Sequence, residues 1–357
     1  MKKLELNLHH SVPIKSKNVY MHMLSIAMLN DTAADWMAET FIQTASYFPA
    51  PNYDVDPIFL LRSIGQNNYA YDYLTAGNGV CPLIDIYKYP YYDSIKNGMS
   101  ASKFIKSKIQ DGFYVLAKID CSKITAYPYN EHFKEHSPLV FGYDDHSEIF
   151  MLNDYRTEHY GTFCATYSEI DNAFLSYVNN SKESSSTAKK MSLGISCMHP
   201  NNIIYSFCIR KLIMECEDYL SGDCICPVYR QYIVDNLHFH YGITVYDIIK
   251  TVIMNLYDTQ NLGTSIKFSH LIDFKTMMMM RLNYLRKYNY ISICDYANLE
   301  CIARNSLSKA RLIMMLYLKF SRTFDRELIN RICELLMEMK LEDEMIIEKL
   351  LKILYHQ

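Results

Sequence analysis

Three pieces of sequence between residues 112 and 174 decide the fold: GFYVLAKIDCSKITAYP (112–128), EHFKEHSPLVFGYDDHSEIFMLNDY (131–155) and FCATYSEIDNAF (163–174). Within them the runs 113–119 (FYVLAKI), 139–143 (LVFGY) and 149–152 (IFML) are rich in β-branched and aromatic residues. Gly, Asp and Ser bound them, which predicts strands. The segment 142–147 (GYDDHS) lies between the last two and has the composition of a hairpin connection. A hairpin places the end of its second strand beside the start of its first, so His136 and Asp154 become neighbours across 17 intervening residues. A carboxylate hydrogen-bonded to one imidazole nitrogen fixes the tautomer and leaves the other nitrogen to take a proton. On their own, the two residues fit equally well an ordinary surface histidine and a strand-ending aspartate.

Upstream, two short helices are expected. One starts near Asn18 (VYMHMLSIAML). The other follows Asn30 and Asp31, where Thr32 and the acid Asp35 three residues later form a helix-start signal, and continues from Trp36 to Ser46. A proline-bearing loop (FPAPNYDVDP, 48–57) and a strand-like run at 80–87 (VCPLIDIY) come next. Helices first and an antiparallel sheet afterwards predict an α+β layer fold. Residues 179–190 (NNSKESSSTAKK) have linker composition. Beyond them, Leu328, Ile332, Leu335, Leu336 and Met339 recur at helical spacing, as do Ile346, Leu350, Ile353 and Leu354, and 310–320 is another apolar helix. The expected organisation is therefore a mixed domain at 1–178, a linker at 179–190 and an all-helical domain at 191–357.

Composition narrows the function. The 357 residues are half apolar and 21% charged, with a formal charge of −3, enough apolar surface for a sizeable core. That balance argues against gripping nucleic acid through its phosphates. The first ten residues (MKKLELNLHH) are too polar for a signal-peptide core, and the apolar clusters at 276–280 and 312–318 are short of a membrane span. A cytoplasmic protein with 11 reduced cysteines is the expectation. Cys216, Cys224, Cys226, His238 and His240 lie close in sequence, but C-x-C with H-x-H lacks the C-x₂-C knuckle, so core thiols are expected and no metal. No phosphate-binding loop or G-x-S-x-G elbow occurs, and no cofactor is expected. Lys309, Arg311 and Lys319 fit the solvated edge of an apolar helix or a docking face for an acidic carrier protein. The 31 tyrosines and 20 methionines fit a biased genome or a binding surface.

The ordered elements from 112 to 174 resemble the papain-like cysteine-protease fold in its bacterial form. The nearer relatives are bacteriocin-leader peptidases, butirosin-type acyltransferases and the protease-like amide synthase of closthioamide assembly. Gly112, Val115 and Asp120 match the strand pattern G-x-x-V-x-x-x-x-D, and His136 falls on the family histidine. Residues 142–145 fall on the G-Y-D-D turn, Asp154 on the acid and 168–174 on the closing helix. The resemblance covers about half the chain and implies a cysteine at the N-terminus of the first helix, where the dipole and an imidazolium favour thiolate. That position falls at about Val19. No thiol stands between Asn18 and His22, and the first cysteine is Cys81.

Three explanations follow. The chain is a pseudoenzyme; or the nucleophile position is Ala27, whose side chain a Cys→Ala replacement would leave; or Ser25 or a distant thiol such as Cys81 serves. The resemblance implies transfer of an acyl group from a phosphopantetheine-tethered carrier-protein thioester to an amine in natural-product biosynthesis. The alternatives are a non-catalytic binder of an acyl or peptidyl carrier or a peptide, and a cysteine peptidase. The helical half would shape an acyl tunnel or dock the carrier.

Overall fold

The computed structural model describes residues 2–48, 58–59, 61–62, 69–70, 81–90, 100–128, 134–156, 160–182, 194–222, 238–259 and 268–357. The chain divides into two units, and neither is continuous in sequence. The first comprises Met1–Ser11, Asn18–Asn30 and Pro82–Ile203; the second comprises Val12–Lys17, Asp31–Cys81 and Ile204–Gln357.

The first unit holds β1 (Lys3–Glu5), α1 (Asn18–Ala27), β6 (Ile84–Pro90), α3 (Ala101–Gln110), β7 (Tyr114–Ala117), β8 (Ile119–Asp120), β9 (Glu135–His136), β10 (Leu139–Asp144), β11 (Ile149–Tyr155), β12 (Tyr160–Thr166), α4 (Tyr167–Lys182) and β13 (Gly194–Pro200). Seven of the strands form one antiparallel sheet in the order β12-β11-β10-β7-β13-β6, with β1 on β10. The expected hairpin is there: β10 and β11 pair from Leu139↔Asn153 to Asp144↔Ile149, with an irregularity between Val140 and Gly142. Gly142 is required by close approach, because a Cβ there would lie 2.9 Å from both the Leu4 carbonyl oxygen and Met151 Sδ.

Successive residues of a strand face opposite sides of the sheet. In β11 Phe150 and Leu152 join the cluster built with Ile105 and Ile109 of α3 and Ile170 and Phe174 of α4. Their alternates Met151 and Asn153 are buried as well, so the strand is covered on both faces. α1 packs against β11, β13 and β6.

The second unit holds α2 (Ala33–Ala38), β2 (Thr44–Phe48), β3 (Ile58–Phe59), β4 (Leu61–Arg62), β5 (Tyr69–Ala70), α5 (Ile209–Ser221), β14 (His238–Tyr241), α6 (Val245–Thr259), α7 (Ser269–Lys287), α8 (Ile293–Thr323) and α9 (Arg326–Leu354). The two apolar repeats read near the end of the chain are one continuous helix, α9. The break before it is sharp. Phe324 takes the left-handed conformation that closes α8, and the Asp325 side chain caps α9 by accepting from the Glu327 N–H. The buried centre is an ion pair between Lys275 of α7 and Asp343 of α9. The second oxygen of Asp343 accepts from Tyr219 of α5 at 3.0 Å and from Tyr246 of α6 at 2.7 Å, so one carboxylate joins four helices.

Three expectations change. The domain boundary is not at 179–190: β13, beyond the linker, pairs with β6 and β7 inside the first sheet, and Asp31–Cys81 belongs to the helical unit. Pairing on both sides satisfies the backbone of β13, a gain visible only once its partners are placed. α4 runs to Lys182, into the linker segment, of which 183–190 lies outside the described residues. The second unit is not all-helical either, since β14, β2 and β3 form a sheet.

The helix expected from Thr32 to Ser46 stops at Ala38. Thr32 does not cap it with its side chain but accepts the Tyr205 N–H at 3.0 Å. Arg281 takes the carbonyls of Ala38 and Thr40, at 2.8 and 2.6 Å, and the chain leaves as β2. Most of the proline-bearing loop, 49–57, lies outside the described residues. Among the described residues no helix is long and apolar enough to cross a membrane.

Candidate functional site

Asp154 and His136 meet in the first unit as the hairpin geometry requires. Asp154 stands near the end of β11, one residue beyond the Leu139↔Asn153 pair, and β9 holds His136 opposite Ile119 of β8. Asp154 Oδ2 accepts from His136 Nδ1 at 2.5 Å and from the Tyr127 hydroxyl at 2.6 Å. The carboxylate has no exposed surface, whereas the His136 side chain is 26% exposed. With its Nδ1 proton held by Asp154, His136 carries the lone pair on Nε2, the arrangement of a general base oriented by an acid. Tyr127 keeps its proton: burial first, then the neighbouring Asp154 charge, pushes its hydroxyl far above the ordinary range.

A second histidine stands behind the first. His22, in the apolar helix α1, is 1% exposed, and its Nε2 lies 3.9 Å from the other oxygen of Asp154, which among the described residues makes no hydrogen bond. Nε2 is also 3.1 Å from the carbonyl of Ser137, and Nδ1 is 2.6 Å from the Tyr160 hydroxyl. A carbonyl only accepts, so Nε2 carries the proton and Tyr160 donates to Nδ1. Burial lowers the His22 pKa to about 4, against the pull of Asp154, and the ring is neutral at pH 7. Burial, then Asp154, likewise holds the Tyr160 hydroxyl protonated.

The α1 end of the site carries no thiol. Val19 is in the first turn of α1, half-buried, with its N–H on Asn18 Oδ1 at 2.9 Å. His22, one turn further, reaches the residue after His136, so the first turns of α1 lie beside the His136 strand. Ala27 is the last residue of α1 and has no exposed surface, and the dipole there would oppose a thiolate. Ser25 is buried, and its hydroxyl donates to the His22 carbonyl at 2.8 Å beside Tyr160, away from solvent. Cys81 is buried and belongs to the second unit.

The thiol near the acid is Cys121, which contacts Tyr127. It too is buried, and burial first and the Asp154 charge after it push its pKa up, so it is a protonated core group. His136 and Asp154 were therefore legible in sequence, while His22, Tyr127 and Tyr160 were not. The only signal for His22 is a lone histidine in a run that is otherwise apolar but for Ser25. Two tyrosines among 31 give none.

Of the cysteines and histidines weighed as metal ligands, Cys216 is a buried thiol of α5, its pKa pushed up to about 12 by burial. Cys224 and Cys226 lie outside the described residues. Among the described residues no group of three or more His, Cys, Asp or Glu side chains is placed to hold a metal ion. Lys309 is bound by Glu338 and Glu342, each at 2.7 Å, which removes it from any open basic face. No protein-family model and no curated protein sequence matches this chain.

Proposed function

We propose that the first unit is a papain-like acyl-transfer domain. In this reading it moves an acyl group from a carrier-protein thioester to an amine in natural-product assembly, without a covalent acyl-enzyme. What carries the reading is the Tyr127–Asp154–His136 arrangement: a buried carboxylate fixes one nitrogen of a solvent-accessible imidazole, and Val19 stands where the nucleophilic thiol is expected. His136 Nε2 takes a proton from the amine as its nitrogen attacks the thioester carbonyl. The C–S bond then breaks, and the phosphopantetheine thiolate leaves with the proton from the imidazolium. One amide and one free carrier thiol result, and the histidine ends as it began.

A second reading has its own observation. The thiol-free start of α1 suits a domain that binds an acyl or peptidyl carrier, or a peptide, without chemistry. An acyl-carrier thioester and an amine separate the two. The acyl-transfer reading expects amine-dependent release of carrier thiol that His136→Ala abolishes. It also expects Val19→Cys, but not Ala27→Cys, to gain the acyl mass by intact-protein mass spectrometry. Carrier binding with no thiol release and no adduct on Val19→Cys is the result of the binding reading. Neither binding, release nor adduct refutes both.

A further inference from the structure

His136 stands on a strand too short to place it. β9 is two residues long and, among the described residues, pairs with the two-residue β8 alone, Ile119↔His136 and Asp120↔Glu135. A lone pair of strands is marginal in water even at greater length. What fixes this ribbon is Asp120, a carboxylate 1% exposed that the acyl-transfer chemistry does not use. Its Oδ1 accepts from the Lys134 N–H at 3.0 Å, two residues before His136, and from the N–H and hydroxyl of Ser122 at 3.1 and 2.7 Å. Its Oδ2 accepts from the Ser176 hydroxyl of α4 at 2.5 Å. The Lys134 carbonyl in turn accepts from the Cys121 N–H at 2.8 Å. Burial alone would raise the Asp120 pKa, but the bonds from Ser176, Lys134 and Ser122 outweigh it and hold the carboxyl below its usual range.

Ribbon, turn and helix thus meet on one carboxylate. α4 packs against β8 and the turn at Cys121–Lys123, and its 16 residues supply the rigid support that the ribbon lacks. The same helix holds the far end of the loop that follows. Glu169 takes the Thr125 N–H at 2.8 Å, two residues before Tyr127, while its other oxygen accepts from the Thr166 N–H at 2.7 Å. Tyr127 and His136 are the two donors to Asp154 Oδ2, so α4 backs both arms of the site. We infer that Asp120 is a positioning residue: through Lys134 it ties the His136 ribbon to α4 and so keeps Nδ1 on Asp154. The use of His136 as a base rests on the acyl-transfer reading; its placement by Asp120 does not.

¹⁵N-histidine NMR of the full chain reads the placement directly. In the wild type His136, assigned by its absence in His136→Gln, should carry its proton on Nδ1 alone. Asp120→Ala removes the acceptor of the Lys134 N–H and the tie to Ser176. In the folded variant the His136 ring should average over both tautomers, as a free imidazole does. Amine-dependent thiol release should fall by about a hundredfold, chiefly in kcat, the loss that a displacement of about 1 Å brings. Asp120→Asn keeps the Oδ1 acceptor, its amide donates to the Ser176 oxygen, and it should restore both the tautomer and the rate. A role in stability alone would lower the Tm and leave the tautomer of the folded protein as it was. If Asp120→Ala folds poorly, Ser176→Ala, which cuts only the tie to α4, takes its place with the same expectation. A fixed Nδ1 proton in folded Asp120→Ala or Ser176→Ala, or averaging in Asp120→Asn as complete as in Asp120→Ala, would overturn the inference. A tautomer that depends on Asp120 in a protein that releases no thiol upholds it and counts against the acyl-transfer reading alone.

Discussion

Acid should destabilise the first unit through His22. Its pKa in the fold is about 4, held down by burial, against about 6.5 in an unfolded chain. A base with a lowered folded pKa is protonated first in the unfolded state. Above pH 6.5 both states are neutral and the group contributes nothing to the pH dependence. Between pH 6.5 and 4 only the unfolded chain takes the proton, so stability falls by about 1.4 kcal/mol per pH unit. Below pH 4 both states are charged and the loss levels off. The gap between 6.5 and about 4 makes the whole loss about 3 kcal/mol, a large share of a domain's stability. The assay is urea unfolding of wild type and His22→Gln, followed by far-UV circular dichroism from pH 8 to 3.5. Carboxylates common to both chains cancel in the difference. His22→Gln should be the less stable protein at pH 8, since it loses the bond from Tyr160, and the two curves should converge as the pH falls through that window. A wild-type-minus-variant difference that stays flat from pH 7.5 to 4.5 would refute the placement of a neutral, buried His22 beside Asp154.

Other perturbations probe the same structure. Tyr127→Phe removes a 2.6 Å hydrogen bond to a buried carboxylate and should cost about 1.5–3 kcal/mol in urea unfolding. Asp343→Asn leaves Lys275 charged and unpaired at the centre of the second unit, an expected loss of about 3–5 kcal/mol and a fall in Tm on the order of 10 °C. Lys275→Met with Asp343→Leu, combined with Tyr219→Phe and Tyr246→Phe so that no buried hydroxyl is left without its acceptor, should recover most of that loss, and a combined variant no better than the single would contradict the ion-pair account. Gly142→Ala should cost about 1–3 kcal/mol by overpacking, and Met151→Ala should not rescue it, because the Leu4 carbonyl cannot move aside as a side chain can.

What was legible in the sequence is what short range determines. The β10–β11 hairpin announces itself by two apolar runs around a polar connection, and it carries His136 to Asp154. The helix at Asn18 is likewise written in local pattern, while the closing helix at Tyr167 was expected only from the family resemblance. The readings that changed depended on partners far away in the chain. α2 is shorter than its local pattern predicts because Arg281, some 240 residues later, takes the Ala38 and Thr40 carbonyls. β13 lies in the first sheet although it follows the linker, because a seven-residue strand shows nothing in sequence of the two strands that flank it. His22 and Tyr160 escaped for the same reason, since their pairing joins residues 138 apart.

The polar cluster around Asp154 is an expensive way to fill a core. Among the described residues one carboxylate oxygen makes no hydrogen bond, and burial holds His22 down at about 4. Two tyrosine hydroxyls are also spent on fixing protons. Apolar residues of similar volume would be as stable or more so, because a buried charge is repaid only by complete partnering. A purely structural network ought also to close on itself. This one ends at a histidine whose Nδ1 is fixed from below and whose ring reaches solvent, so the buried groups act together on one accessible nitrogen. That asymmetry is what distinguishes a site from a core: Asp343 is bonded on both oxygens by buried partners and has nothing exposed to orient, whereas Asp154 orients His136. On the acyl-transfer reading, Asp154→Asn should therefore act through His136, with thiol release from a carrier thioester lost even under conditions where the folded fraction is unchanged.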